Sequence, residues 1–285
     1  MTWWGVNEGT KVIPGYDEID VVGGEMWALG IPDTASPEFR RNAVGAAVAS
    51  VVGLRVDYAL KRYVGPAEQY ALPEVDKPFR AGLREVRRVV VAALASTMTN
   101  RGSQTEAAFV ADSAMIRLQN TFRGAVILIK SHLHFETSAL LRLIVEQMAW
   151  AWAIHRYEGD YWELEPQGCI RQLKIILPDI GRMYGQLSES AHVIPPTTLR
   201  YIRSSPDKIT VYFAVPSQSA QDLLTLLRLA ADFASVCERL HPESPAVVRP
   251  GKSPNLREWS DEFRAVYESV AEWAAYVEAN SLSST

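Results

Sequence analysis

The sequence lacks the features that mark several large classes of protein. It contains only two cysteines, Cys169 and Cys237, which are too few for a disulfide framework or a thiolate metal cage. We therefore expect both to be buried free thiols. The longest nearly apolar run, residues 43–54, is shorter than the roughly 20 residues of a bilayer span, so we expect no membrane partner.

Several functional motifs are also missing. The chain has neither a G-x-x-x-x-G-K phosphate loop nor an H-E-x-x-H zinc motif. Its formal net charge of −4 argues against a surface that neutralises many phosphates. Residues 1–5 do not begin a secretory signal. We expect a cytoplasmic protein that needs no metal and no cofactor.

Apolar residues recur at helical spacing through most of the chain. Ser36 is the predicted N-cap of the first helix, with Pro37 in its first turn, and Pro178 predicts a kink or two abutting helices. Gly and Pro in residues 1–37 predict an irregular arm, and β-branched and aromatic residues at 208–215 predict a small β hairpin or an edge strand. We expect a mainly α fold, an up-and-down helical bundle. The predicted helices cover about 39–63, 78–99, 104–130, 133–157, 166–191, 219–240 and 255–280.

The same pattern divides the chain into four segments. A polar break separates residues 1–103, the arm and two helices, from a helical core at 104–241. Residues 242–254 are rich in proline and predict an extended linker. The last segment, 255–285, contains an amphipathic helix. Its apolar stripe must pack on the core or on a second subunit, because a soluble monomer rarely exposes such a patch.

Polar residues suited to chemistry lie on two of the predicted helices. Arg142 and Glu146 are four residues apart, so they can meet on one face and either orient a phosphate or fix helix packing. Tyr184, Ser188 and His192 follow at four-residue steps near a helix C-terminus, where an imidazolium is favoured. The candidate catalytic residues are Arg142, Glu146, Ser188 and His192, and a purely structural role is the alternative for each.

A basic stripe follows the predicted helix at 78–99. It is the candidate surface for nucleic acid or for an acidic partner, and Glu85 dilutes its charge only slightly. A solvated helix face is the alternative interpretation. The stripe consists of Lys77, Arg80, Arg84, Arg87 and Arg88.

The run Ala139-Leu-Leu-Arg142-Leu-Ile-Val-Glu146, followed by Tyr184-Gly-Gln-Leu-Ser188-Glu-Ser-Ala-His192, resembles uncharacterised bacterial proteins with a HEPN-like helical core. The resemblance covers about residues 104–241. It implies a four- or five-helix up-and-down core, often dimeric, in a superfamily that includes metal-independent ribonucleases of antiviral defence and toxin systems. Those ribonucleases carry an arginine and a histidine on one helix with four to six residues between them, and no histidine of this chain has an arginine five to seven positions upstream.

Three functions follow as hypotheses. The first is a homo-oligomeric HEPN-like protein that acts by binding RNA or protein in a defence or stress-response system. The second is a metal-independent ribonuclease that uses Arg142, Glu146, Ser188 and His192 across two helices or across a dimer. The third is an oligomeric scaffold in which the C-terminal helix packs against another protomer.

Overall fold

The structure is a computed structural model, and within the residues that it describes the chain is mainly helical. The chain divides into two compact units, Met1–Asp76 and Lys77–Thr285. The described residues are 35–71, 77–99, 105–155, 157, 161–192, 202–205, 208–211, 216–241 and 260–283.

Within its described residues, 35–71, the first unit contains two α-helices and one turn of 3-10 helix. These elements are α1 (Pro37–Val52), α2 (Val56–Arg62) and the 3-10 turn Ala67–Tyr70. The hydroxyl of Ser36 accepts a hydrogen bond from the Phe39 N–H at 3.2 Å, which confirms the predicted N-cap. The single helix predicted at 39–63 is wrong. Gly53 ends α1 with a left-handed φ of 68°, a conformation that favours glycine, and α2 turns away by 108°.

The second unit contains seven α-helices, two strands and a 3-10 turn within the described residues. The helices are α3 (Lys77–Thr99), α4 (Glu106–Lys130), α5 (His134–Ile154), α6 (Pro166–Leu173), α7 (Ile180–Ala191), α8 (Pro216–Leu240) and α9 (Asp261–Ser283). The 3-10 turn is Tyr161–Glu163, and the strands are β1 (Ile202–Ser205) and β2 (Lys208–Val211). Helices α6 and α7 flank Pro178, which confirms the prediction of two abutting helices there.

Helix α8 organises the core of this unit. It packs against α3, α4, α5 and α9. Helices α4 and α5 pack against each other across a three-residue turn and so form an antiparallel hairpin, as an up-and-down bundle requires. The rings of Phe122 on α4 and Phe233 on α8 are fully buried and meet edge to face, 5.3 Å between centroids. Helices α6 and α7 pack on α5, which places α7 beside the residues that the sequence analysis selected.

The C-terminal helix α9 packs on α3 and α8 of its own chain. Phe263 and Val270 are buried, and the rings of Phe79 and Trp273 lie 5.0 Å apart. Close approach of the helices requires glycine at position 82, where a Cβ would lie 2.9 Å from a methyl group of Val270. The apolar stripe of α9 is therefore covered by the core, which was one of the two predicted partners for it.

The segment boundary predicted at 103/104 differs from the division of the chain in the structure. Helix α3 belongs to the same compact unit as α4 to α9 because it packs on α8 and α9, so the division of the chain falls at 76/77 and not at 103/104.

Strands β1 and β2 pair antiparallel, with Ile202 opposite Val211, and β2 overlaps the predicted β segment. Residues 212–215 of that segment, residues 1–34 of the predicted arm and the linker at 242–254 lie outside the described residues.

No single helix in the described part of the chain is both long enough and apolar enough to cross a membrane. Helices α1 and α2 reach that length and composition only when they are taken together across their 108° bend.

Candidate functional site

Three of the residues on the predicted polar stripes meet at the interface of α5 and α7. Glu146 accepts hydrogen bonds from Arg142 Nε at 3.0 Å and from the Tyr184 hydroxyl at 2.9 Å. The Arg142 guanidinium also donates to the Tyr184 oxygen at 3.4 Å, and its carbon lies 5.4 Å from the centre of that ring. The predicted contact between Arg142 and Glu146 is confirmed, and Tyr184 completes a three-residue cluster.

The other two candidate catalytic residues do not join this cluster. His192 is the exposed C-cap of α7 and has extended backbone angles, so it does not continue the stripe formed by Tyr184 and Ser188. The Ser188 hydroxyl is buried and has no hydrogen-bond partner among the described residues. Within the part of the chain that the structure describes, no hydrogen bond links Ser188 or the His192 side chain to Arg142 or Glu146.

The basic stripe on α3 is less uniform than its sequence indicates. Glu85 is buried and accepts a hydrogen bond from Arg88 Nε at 2.7 Å, which raises the pKa of Arg88. Nε of Arg87 is shielded from solvent. This carboxylate therefore engages one of the five cations of the stripe.

A cleft of about 310 Å³ opens between α5, α7, α8 and α9. Its volume is at the lower end of the range for small-molecule sites. Met183, Leu187 and Leu224 supply apolar walls. The uncharged polar residues that line the cleft are Ser138, Gln186, Ser190, Gln221, Thr225 and Tyr267.

One end of the cleft contains a histidine–aspartate pair. Nδ1 of His134, the first residue of α5, lies 2.8 and 2.9 Å from the two carboxylate oxygens of Asp222 on α8. Both side chains are nearly buried, with 12% and 6% of their surfaces exposed. Burial raises the pKa of Asp222, and the hydrogen bond from His134 opposes that rise. With Asp222 ionised, Nδ1 carries the ring hydrogen, which fixes the tautomer and the orientation of the imidazole.

The turn between α4 and α5 is held by a second histidine. His132 has a left-handed φ of 58°, which is uncommon for a residue other than glycine. Its Nδ1 lies 2.9 Å from the hydroxyl of Ser219, which is buried in α8. His132 and His134 therefore both join the start of α5 to the start of α8. Of the two contacts, the His134–Asp222 pair borders the cleft.

Arg228 is the permanently charged cation among the described residues that line the cleft. It donates from Nη2 to Asp179 at 3.0 Å, and this bond lowers the pKa of Asp179. Asp179 is half-exposed and does not line the cleft. Nε of Arg228 is buried and has no hydrogen-bond partner among the described residues. The guanidinium therefore has donor capacity that Asp179 does not use.

A second acidic side chain lies deeper, one helical turn beyond Arg228. Asp232 is almost completely buried, and this burial raises its pKa to about 7, although the charge of Arg228 acts in the opposite direction. Perturbed acids are frequent at functional sites, but ion pairs in a core perturb them too.

A third histidine pair lies away from the cleft. Nε2 of His241, at the end of α8, is 2.8 Å from Asp112 on α4, and the ring of His155 stands nearly perpendicular to it at 5.9 Å. Cys237 is one turn before His241, but burial raises the pKa of its thiol well above the usual value. Such a thiol is a poor nucleophile. We interpret this group as a structural link between α4 and α8.

The chemistry open to the cleft follows from its lining. The hydroxyl and amide side chains offer hydrogen bonds to a polar molecule, Arg228 offers a positive charge, and His134 with Asp222 forms an oriented pair. In the described part of the chain, no three His, Cys, Asp or Glu side chains are placed to hold a metal ion. The arrangement suits recognition of a small polar ligand.

Sequence reasoning missed the cleft because its residues come from four separate helices. Asp222 and Asp232 nevertheless leave a signal, since both lie within the long apolar pattern of α8. An acid in such a pattern must find a partner or remain protonated. Nothing in the spacing of the sequence links His134 to Asp222, because 88 positions separate them.

The chain matches no known protein in three comparisons. No family model, no curated protein and no solved structure is similar to it. The cleft and the α5–α7 cluster therefore have to be interpreted from their own chemistry.

Proposed function

We propose that this protein acts by binding, and that it holds a small polar molecule in the cleft between α5, α7, α8 and α9. The observation that carries the proposal is the lining of the cleft, in which one arginine, one histidine–aspartate pair and several hydroxyl and amide groups face one space of about 310 Å³. The hydroxyl and amide side chains among them can donate and accept hydrogen bonds. A ligand whose own polar groups match these positions would be bound with specificity.

The rigidity of the walls supports the same function. Each wall is a helix of the core, and the His134–Asp222 contact ties α5 to α8. Sites on helices keep their geometry better than sites on loops. The cleft therefore has the preorganisation that a binding site needs.

The HEPN-like relationship and the oligomeric state remain proposals. The α4–α5 hairpin, with α7 and α8 packed on α5, is consistent with a HEPN-like core. The scaffold hypothesis has less support, because α9 buries Phe263 and Val270 within its own chain.

A ligand screen by thermal unfolding tests the binding function. Purified protein is heated with a panel of amino acids, hydroxy acids, sugars, sugar phosphates and nucleotides. A compound that binds the folded protein and is present at a concentration of about 100 times its Kd adds about 2.7 kcal/mol to the free energy of unfolding. This raises Tm by about 5 °C for a chain of this size. If no compound in the panel raises Tm, the proposal loses its support.

A variant that fills the cleft localises the effect. Ser190→Trp places an indole in the space that the ligand would occupy, and this variant should no longer respond to the compound. Ser113→Trp is the matched control, because Ser113 is exposed on α4 and does not line the cleft. An equal response of the wild type and both variants would place binding outside the cleft.

A ribonuclease is the second candidate, because Arg142, Glu146 and Tyr184 form a polar cluster on two helices. Its predicted acid, His192, is exposed at the end of α7 and makes no described contact with that cluster. Incubation with total RNA separates the two functions. Cleavage by the wild type that is lost in His192→Ala would support the ribonuclease and contradict a function through binding alone.

A further inference from the structure

We infer that the molecule bound in the cleft carries an anionic oxygen group, a carboxylate or a phosphate, and that Arg228 binds this group in place of Asp179. The inference rests on the proposed binding function and specifies the ligand. It starts from the position of Arg228, whose side chain lines the cleft and is one-quarter exposed.

The present partner of Arg228 leaves it open to a ligand. Asp179 lies outside the cleft, half its side-chain surface is in water, and it contacts the guanidinium through a single nitrogen at 3.0 Å. Exposed ion pairs contribute little stability, typically less than about 1 kcal/mol, so their exchange for another carboxylate or phosphate costs little. Asp179 also has a second cation nearby, since Arg182 donates to it at 3.4 Å.

The guanidinium group suits such an exchange. Its planar fork of donors matches two oxygens of a carboxylate or phosphate, and Nε is not used by any described residue. Tyr267 also borders the cleft. Burial raises the pKa of its phenol, and the nearby charge of Arg228 opposes that rise. An anion at Arg228 would thus lie among hydrogen-bond donors.

The opposite end of the cleft indicates what the rest of the ligand carries. Asp222 is six residues before Arg228 on α8, which at 1.5 Å per residue places the two about 9 Å apart along the helix axis. Asp222 and its partner His134 can receive a hydroxyl or an amino group of the ligand. The ligand class is therefore a small anion with a hydroxyl or amino group at its far end.

Titration calorimetry tests the inference by measuring the affinity for two anions, inorganic phosphate and acetate. Each anion is titrated in a separate experiment at constant pH and ionic strength, which distinguishes phosphate from carboxylate binding. Arg228→Gln should weaken binding at least tenfold. Asp179→Asn should tighten it severalfold, because it removes the competing carboxylate and keeps the shape of the side chain. Arg117→Gln removes the same charge at an exposed position on α4 that does not line the cleft, and it should leave affinity within twofold of the wild type.

Each other outcome has a defined meaning. Equal weakening by Arg228→Gln and Arg117→Gln, or no gain from Asp179→Asn, would show an adventitious ion only and overturn the inference. If neither anion binds while an uncharged compound of the thermal panel still stabilises the wild type and not Ser190→Trp, the inference fails and the binding function stands. If nothing binds in either experiment, both fail.

Discussion

Asp222 lies 2.8 Å from Nδ1 of His134, although the two residues are 88 positions apart in the chain. This contact joins the first turn of α5 to α8 and forms one end of the cleft. It shows that the helix packing brings together two nearly buried polar side chains from distant parts of the sequence. The pair both stabilises the fold and shapes the proposed site.

Removing His134 should destabilise the protein strongly. His134→Ala leaves the Asp222 carboxylate buried without its hydrogen-bond partner, and breaking a buried pair in this way costs about 3 kcal/mol. Urea unfolding of wild type and variant at pH 7 measures the difference. His192→Ala is the control, because that exposed side chain should change the free energy of unfolding by less than about 0.5 kcal/mol. Similar small effects of both variants would refute a stabilising role for the pair.

Asp232 predicts a dependence of stability on pH. Its pKa in the folded protein is about 7 and above its ordinary value of 3.8, so the folded state binds the proton more tightly than the unfolded state. The contribution is complete below about pH 4 and is lost as the pH rises to about 7. Asp232→Asn, which resembles the protonated acid, should match the wild type at pH 4 and be more stable at pH 8, by up to about 4 kcal/mol.

Denaturant unfolding of both proteins between pH 4 and pH 8 checks this dependence. Asp261→Asn is the matched control, since Asp261 is almost fully exposed and its replacement should give the same small difference at every pH. The contrary result is a difference in the free energy of unfolding between Asp232→Asn and the wild type that does not grow with pH. It would show that Asp232 is ionised in the folded protein and is well solvated or well paired there.

The α9 helix should be an integral part of the second unit. Phe263→Ala removes a buried ring from the contact with α3 and α8 and should lower the free energy of unfolding by about 3 kcal/mol. Tyr276→Ala, at a position where the ring is mostly exposed, should cost less than about 1 kcal/mol. Thermal unfolding of the two variants measures the contrast, and a Phe263→Ala variant as stable as the wild type would argue that α9 does not pack on this core.

The helices could be predicted from the sequence because apolar spacing records which face of each helix is buried. Thus α3, α4 and α5 begin and end within about three residues of their predicted limits, and Pro178 correctly marked the division between α6 and α7. The break between α1 and α2 was missed, because an apolar pattern continues through Gly53 and only the backbone shows its left-handed φ. Periodicity reports burial and is insensitive to a sharp bend.

The candidate site was predictable only in its local part. Arg142 and Glu146 lie one helical turn apart, so their contact follows from helix geometry, and Tyr184 was already on the second stripe. The cleft depends on which faces of α5, α7, α8 and α9 meet, and residue spacing within one helix does not contain that information. The inferred role of Arg228 therefore had to come from its neighbours in space.

Hydrogen–deuterium exchange with and without a stabilising compound from the thermal panel tests the central claim most directly. Binding in the cleft should slow amide exchange in the segments that line it, 134–138, 183–190 and 221–228, and around Tyr267. Unchanged exchange in these segments, with protection confined to the basic stripe of α3 or to the α5–α7 cluster near Arg142, would contradict it.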